Sequence, residues 1–127
     1  MKLRIKGNSL RFRVTRSELT KLVDTGRIEE TTYFSFDEHS KLIYALEHQS
    51  TSTSPFLRYR SPELAIILST QDVKTWAGSE QVGVYASIDL GARGALDLAV
   101  EKDFACLDLS DADNLDTFPN PTSGVSC

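Results

Sequence analysis

The sequence predicts an α+β fold: a strongly bent, mostly antiparallel sheet or partial barrel of about seven strands, with one full helix and one short helix. Apolar and polar residues alternate along several short segments, which is typical of half-buried strands. Short turn-like segments join them, and short connections favour antiparallel neighbours. With 127 residues, 40% of them hydrophobic, the chain can bury one core. We expect a single domain over residues 1–121 and a disordered C-terminal end over 122–127.

The opening segment, Met1–Arg16, predicts a basic hairpin. Its apolar residues occupy odd positions before residues 6–9 and even positions after them. A two-residue turn at Gly7 and Asn8 explains this change, because it places Leu3 opposite Phe12. One long strand with a β-bulge at the same place is the alternative. Both arrangements give one apolar face and one strongly basic face.

The first helix is predicted from about Arg16 to Thr25. Thr15 and Glu18 have the spacing of a capping box, in which each side chain binds the other residue's backbone amide. Apolar residues follow at helical spacing, and Gly26 suits the position after the last turn. We expect the apolar side of this helix to pack on the apolar face of the hairpin.

The middle of the chain predicts four more strands and one long loop. Residues 27–36 and 41–48 alternate, and the polar turn between them predicts an antiparallel pair. The low-complexity stretch 49–55 is expected to be an exposed, mobile tip. Residues 56–60 alternate again, and the unbroken apolar run Leu64–Leu68 suits a central strand that is covered on both sides.

A short helix and a second hairpin are predicted next. The helix covers about Gln71–Ala77, and its Trp76 is expected to pack onto the sheet. Residues 82–88 and 96–100 then alternate on either side of a loop centred on Ala92. In that register every apolar residue of one strand faces an apolar residue of the other, so this hairpin is strongly specified.

Charge is distributed unevenly along the chain. The net charge is −4 and the pI is about 5.1, which argues against general nucleic-acid binding. Residues 1–16 nevertheless carry six cations and no acid, whereas residues 101–127 carry six acids and one lysine. Two interpretations stay open. The two ends meet in the fold as surface ion pairs, or the basic surface receives an anionic small molecule or an acidic protein segment.

The candidate anion-binding residues are arginines, because a guanidinium offers paired, coplanar donors to carboxylates and phosphates. They are Arg4, Arg11 and Arg13 of the basic hairpin, joined by Arg58 and Arg60. The internal groups that could neutralise them are Glu29, Glu30 and the acidic C-terminal segment.

An alternative prediction is a small metal-dependent or cysteine-based enzyme centred on Cys106 and the acidic loop 103–116. Alternating carboxylates in residues 111–116 suggest a calcium loop, although its central glycine and late glutamate are missing. Cys106 could pair with His48 as nucleophile and base. Cys106 and Cys127 are too few for a zinc motif and are expected to be free thiols.

No cofactor and no catalytic residue is assigned from the sequence. The chain contains no phosphate-binding loop, dinucleotide fingerprint, nucleophile elbow or metalloprotease motif. It also contains no apolar run of membrane-spanning length and no signal-like start. We therefore expect a cytoplasmic protein without a membrane partner, and the sequence predicts no oligomeric state.

Four segments carry a resemblance to a known family: Lys2–Ile5, Asn8–Arg13, Glu101–Asp108 and Phe118–Pro121. Together they resemble a family of small uncharacterised bacterial proteins of about this size, over nearly the whole chain. The resemblance implies a bacterial, single-domain protein and transfers no activity. The preferred prediction of function is a non-enzymatic binding or accessory module that uses its basic strand face.

Overall fold

The computed structural model describes residues 1–105 and 116–119. Within them the order strand–strand–helix–strand–strand occurs twice. The first half contains β1 (Lys2–Lys6), β2 (Ser9–Val14), α1 (Arg16–Thr25), β3 (Arg27–Tyr33) and β4 (Lys41–Gln49). The second half contains β5 (Phe56–Arg60), β6 (Glu63–Ser69), α2 (Thr70–Ala77), β7 (Gly83–Asp89) and β8 (Ala95–Lys102), with a 3-10 turn at Gly91–Arg93.

The strands form two four-stranded sheets. Sheet 1 has the order β1-β2-β8-β7, and sheet 2 has the order β3-β4-β6-β5. In each sheet the outer pairs are antiparallel and the two inner strands are parallel. The predicted α+β class with two helices is confirmed. The prediction of one bent, mostly antiparallel sheet or partial barrel is wrong, because the hairpins form two sheets, each of which joins two hairpins through parallel inner strands. Short turns determine only which strands form a hairpin, and not which hairpins share a sheet.

The predicted hairpins are confirmed in register. In sheet 1, Leu3 lies opposite Phe12 and Arg4 lies opposite Arg11. Gly7 adopts φ = 53°, as the first central residue of a two-residue hairpin turn requires. The β7–β8 hairpin also has the predicted pairs. Alternation and turn chemistry therefore specified each hairpin locally.

Helix α1 has the predicted limits and the predicted cap. The Thr15 side chain accepts a hydrogen bond from the Glu18 amide, and the Glu18 carboxylate accepts one from the Thr15 amide. Gly26 ends the helix at φ = 84°, and its amide donates to the Leu22 carbonyl at 2.9 Å. Both ends of α1 are therefore satisfied by residues that are adjacent in sequence.

The core lies between the inner faces of the two sheets and is closed by the helices. Phe12 of sheet 1 and Ile66 of sheet 2 are fully buried in it, and the Phe12 ring packs edge-on against Tyr44 at 6.1 Å. Trp76 is fully buried, and its indole nitrogen donates to the Val82 carbonyl at 3.0 Å. Trp76 is thus a core residue of α2, as predicted.

The two halves of the chain correspond position by position. Most elements of the second half begin 54 positions after their counterparts, as Arg58 follows Arg4. The correspondence extends to the helix caps, where Ser69 of α2 matches Thr15 of α1. It extends also to the core, where Trp76 matches Leu22. Each sheet takes one hairpin from each half, so the halves are interleaved.

Residues 116–119 pack at the start of α1. The Arg16 amide donates to the Asp116 carbonyl at 3.0 Å, and the Ser17 amide donates to Asp116 Oδ1 at 3.3 Å. The rings of Phe104 and Phe118 meet edge-on at 6.2 Å. The predictions for residues 122–127 lie outside the described part of the chain. No helix in the described part is long and apolar enough to cross a bilayer.

Candidate functional site

The candidate site is the outer face of sheet 1, which we call the basic face. Strand pairing aligns its side chains in three rows across the sheet. In the order β1, β2, β8, β7, the rows are Lys6-Ser9-Asp97-Ser87, Arg4-Arg11-Ala99-Tyr85 and Lys2-Arg13-Glu101-Gly83. The sheet therefore brings the three hairpin arginines together on one surface.

An open hollow of about 680 Å³ lies over the first two rows. Small side chains, those of Ser9, Ser87 and Ala99, lie beneath it. Longer polar side chains lie among them in the same two rows: Arg4, Lys6, Arg11, Tyr85 and Asp97. Three of these five longer side chains are cationic.

Two cations of the basic face are neutralised by residues from the end of β8. Arg11 Nε lies 3.1 Å from Glu101, and Lys2 Nζ lies 3.0 Å from Asp103. Asp103 is only 4% exposed, so Lys2 compensates a buried carboxylate. For these two pairs the basic start and the acidic end of the chain do meet in the fold.

The other cations of the basic face have no acidic partner in the part of the chain that the structure describes. Within residues 1–105 and 116–119, no carboxylate lies within ion-pair distance of Arg4, Lys6 or Arg13. Arg4 and Lys6 line the hollow. Asp97 is the hollow's own carboxylate and, in that part of the chain, has no ion pair either. Among the described residues, the hollow therefore has two unpaired cations and one unpaired carboxylate.

Tyr85 and Glu101 fix the side of the hollow that lies towards β7. The Tyr85 hydroxyl donates to Glu101 Oε2 at 2.7 Å. Partial burial of the hydroxyl and this hydrogen bond raise the pKa of Tyr85 to about 12. Tyr85 is therefore a neutral, protonated group at physiological pH. Because Glu101 also binds Arg11, it holds both side chains in place.

Arg58 and Arg60, the other predicted anion-binding residues, lie on β5 of sheet 2 and not on the basic face. Arg58 Nη2 donates to Glu63 at 3.0 Å and also to Glu47. Arg27 contacts the same two carboxylates. The hydrogen bond from Arg58, followed by that from Arg27, lowers the pKa of Glu63. Arg58 is thus neutralised within its own sheet.

Two of the acids expected to neutralise the arginines, Glu29 and Glu30, have other partners in the structure. Glu29 binds Arg27 at 2.9 Å, and Glu30 accepts a hydrogen bond from Tyr44 at 2.9 Å. Neither contacts the basic face. Among the described residues, the acids that form ion pairs with its cations are Glu101 and Asp103.

The residues of the alternative site are mostly outside the described residues. Cys106, Cys127 and residues 107–115 of the acidic loop fall there, and with them all of the predicted calcium loop except Asp116. His48, the predicted base, has both ring nitrogens occupied: Nδ1 by Thr70 Oγ1 at 2.9 Å and Nε2 by the Leu22 carbonyl at 3.0 Å. The described residues contain no group of three side chains that could hold a metal ion.

Of the residues that line the hollow, sequence reasoning identified only Arg4 and Arg11, and it missed Lys6, Ser9, Tyr85 and Asp97 among others. Ser9 and Asp97 become neighbours only through the parallel pairing of β2 with β8. A comparison of the sequence with itself would have indicated that the two halves of the chain are similar. Leu3-Arg4 recurs as Leu57-Arg58, and Ala45 and Glu47 recur as Ala99 and Glu101 at the same spacing.

One family model matches the chain, over residues 1–122, and its description is a family of unknown function, DUF7009. The match spans both halves of the chain and both sheets. No curated protein and no solved structure matches the chain. The geometry of the basic face is therefore the basis for a functional proposal.

Proposed function

The chain belongs to DUF7009, a family of unknown function, and we propose that it is a binding or accessory module that holds an anionic group on its basic face. The observation that carries this proposal is the hollow of about 680 Å³ that Arg4 and Lys6 line. Neither cation has an ion-pair partner in the described part of the chain. An anion in the hollow would supply that partner.

The placement of Arg4 directly opposite Arg11 supports the same proposal. Like charges at directly opposed positions destabilise a strand pair. Glu101 relieves Arg11, but Arg4 has no equivalent acid within the described residues. A bound anion between the two guanidinium groups would remove this repulsion and accept several charge-assisted hydrogen bonds. The opposition of these two arginines therefore supports the binding of a negative group at this place.

The test is a calorimetric titration of the purified protein with sodium succinate and with sodium phosphate at constant ionic strength. Arg4→Gln is expected to weaken binding of the preferred probe at least tenfold, about 1.4 kcal/mol. Raising the salt concentration is expected to weaken binding by the wild-type protein, because the contact is electrostatic and accessible to solvent.

Lys21→Gln is the matched control, because Lys21 is an exposed cation of α1 and its loss changes the net charge equally. It is expected to bind like the wild-type protein. Absence of binding of both probes at millimolar concentration would refute the proposal. An equal loss of affinity in both variants would show that only net charge matters, which also contradicts a site on the basic face.

A further inference from the structure

We propose that the anionic group is a carboxylate that lies above Ser9, at the position where sheet 2 carries the carboxylate of its own Glu63. This inference rests on the proposed function and specifies the chemical class of the ligand. It comes from comparing the outer faces of the two sheets, which the interleaved halves make equivalent.

The two outer faces differ at a position that determines how many acidic partners the arginine has. Arg4 of β1 corresponds to Arg58 of β5, and Glu101 of β8 corresponds to Glu47 of β4. In the order β5, β6, β4, β3, the rows of sheet 2 are Arg60-Glu63-Ile43-Thr31, Arg58-Ala65-Ala45-Glu29 and Phe56-Ile67-Glu47-Arg27. In each sheet the arginine therefore lies in the second row and the glutamate in the third. In the first row, however, Glu63 of sheet 2 corresponds to Ser9 of sheet 1. Sheet 1 therefore has the arginine without one of its two acids.

Sheet 2 shows how the complete arrangement is satisfied. The Arg58 guanidinium bridges Glu63 in the first row, at 3.0 Å, and Glu47 in the third row. In sheet 1 the third-row acid, Glu101, is instead held by Arg11 and Tyr85. In the first row, sheet 1 has Ser9 at the position where Arg58 of sheet 2 binds a carboxylate. A carboxylate from outside would restore the arrangement that sheet 2 makes by itself.

The space for that carboxylate is present above Ser9. The Ser9 hydroxyl donates to the Lys6 carbonyl at 2.6 Å, which keeps this side chain against the backbone. Ser9 lies under the hollow, and Arg4, Lys6 and Arg11 reach the same hollow. A flat carboxylate can accept two parallel hydrogen bonds from a guanidinium fork.

Asp97 favours a carboxylate over a phosphate. It lies directly opposite Ser9, where sheet 2 has the apolar Ile43 opposite Glu63. A negative side chain next to the ligand repels a phosphate, which concentrates more than one charge on a single group at neutral pH, more strongly than one carboxylate of succinate, whose second charge lies at the other end of the molecule. Asp97 can also accept a hydrogen bond from a donor group elsewhere on the ligand.

The experiment supplies the missing carboxylate from the chain itself. Ser9→Glu is expected to abolish succinate binding and to raise the Tm above that of Ser9→Gln, the neutral variant of equal length. The wild-type protein is expected to bind succinate at least tenfold more tightly than inorganic phosphate. Asp97→Asn is expected to reduce this preference by raising the affinity for phosphate.

The outcomes separate this inference from the proposed function. If phosphate binds as tightly as succinate, or if Ser9→Glu binds succinate like the wild-type protein, the carboxylate assignment is wrong while an anion site remains. If neither probe binds, both proposals fail. Titration with a capped tri-glutamate peptide identifies the source: tighter binding than succinate indicates a protein side chain, and weaker binding indicates a small molecule. Either result retains the carboxylate.

Discussion

Arg4 and Arg58 occupy the same position in the two halves of the chain, yet only Arg58 has acidic partners in the described structure. Arg58 is joined to Glu47 and Glu63, and Arg27 contacts both acids from the opposite side. These side chains are about a third exposed or less. Networks of several charges contribute more than isolated surface pairs. The same residue type thus stabilises one sheet, whereas in the other it has no ion pair among the described residues.

The network of sheet 2 predicts a pH-dependent effect of Glu63→Gln. At pH 7 the substitution is expected to cost about 1 kcal/mol of unfolding free energy, because Arg58 and Arg27 lose a charged acceptor. The pKa of Glu63 is lowered in the folded protein, so its contribution is complete above the pKa of an unfolded glutamate, about 4.3. It is lost as the pH falls through the lower folded pKa.

Urea unfolding at pH 7 and at about pH 3 checks this prediction. The difference between Glu63→Gln and the wild-type protein is expected to shrink at the lower pH. Glu38→Gln is the control, because Glu38 is largely exposed and is expected to change stability little at either pH. An unchanged difference at both pH values would contradict the predicted linkage.

At the scale of the elements, both helices begin on a side-chain cap at the end of an inner strand. Thr15 follows β2 and begins α1, whereas Ser69 ends β6 and caps α2 by accepting a hydrogen bond from the Asp72 amide at 3.0 Å. Each cap lies where the chain leaves a buried strand. The caps therefore determine where the strand stops and the helix starts in both halves.

Thr15→Ala tests the importance of the first cap. The substitution removes the acceptor for the Glu18 amide and one half of the capping box, so we expect a loss of about 1 kcal/mol of unfolding free energy. Thr20→Ala is the control, because Thr20 is exposed in the middle of α1. It is expected to change stability by less than about 0.5 kcal/mol. Equal effects of both variants in urea unfolding would show that the cap is unimportant.

At the scale of the whole molecule, the two halves cannot complete a sheet separately. Sheet 1 joins the first and the last hairpins through the parallel pair β2–β8, and sheet 2 joins the middle hairpins through β4–β6. The inner strands of both sheets contribute Phe12, Leu46, Ile66 and Val100 to one core. The two halves therefore hold each other through the core and through two sets of backbone hydrogen bonds.

Cleavage between the halves is expected to leave the molecule assembled. A protease site introduced into residues 50–54, which connect β4 to β5, would be cut after purification. We expect the two fragments to elute together in gel filtration at the position of the uncut protein, which is the control, and to retain its circular dichroism spectrum. Separate elution of the fragments under native conditions would contradict the interleaved arrangement.

The sequence alone determined the parts of this protein that depend on neighbouring residues. The Gly7-Asn8 turn, the Thr15 cap and the alternation in β7 and β8 specified two hairpins and a helix, because turns, caps and alternation act over a few residues. The basic surface containing Arg4, Arg11 and Arg13 followed from the same local register.

Only the tertiary structure decided which hairpins share a sheet, and with that the chemistry of the candidate site. Ser9 and Asp97 are neighbours through the pairing of β2 with β8, and Arg58 is separated from Arg4 by its place in sheet 2. Such pairings depend on how buried faces fit between segments far apart in the chain, and no local pattern encodes that fit. The same long-range packing neutralises Arg11 and leaves Arg4 without an ion pair in the described structure.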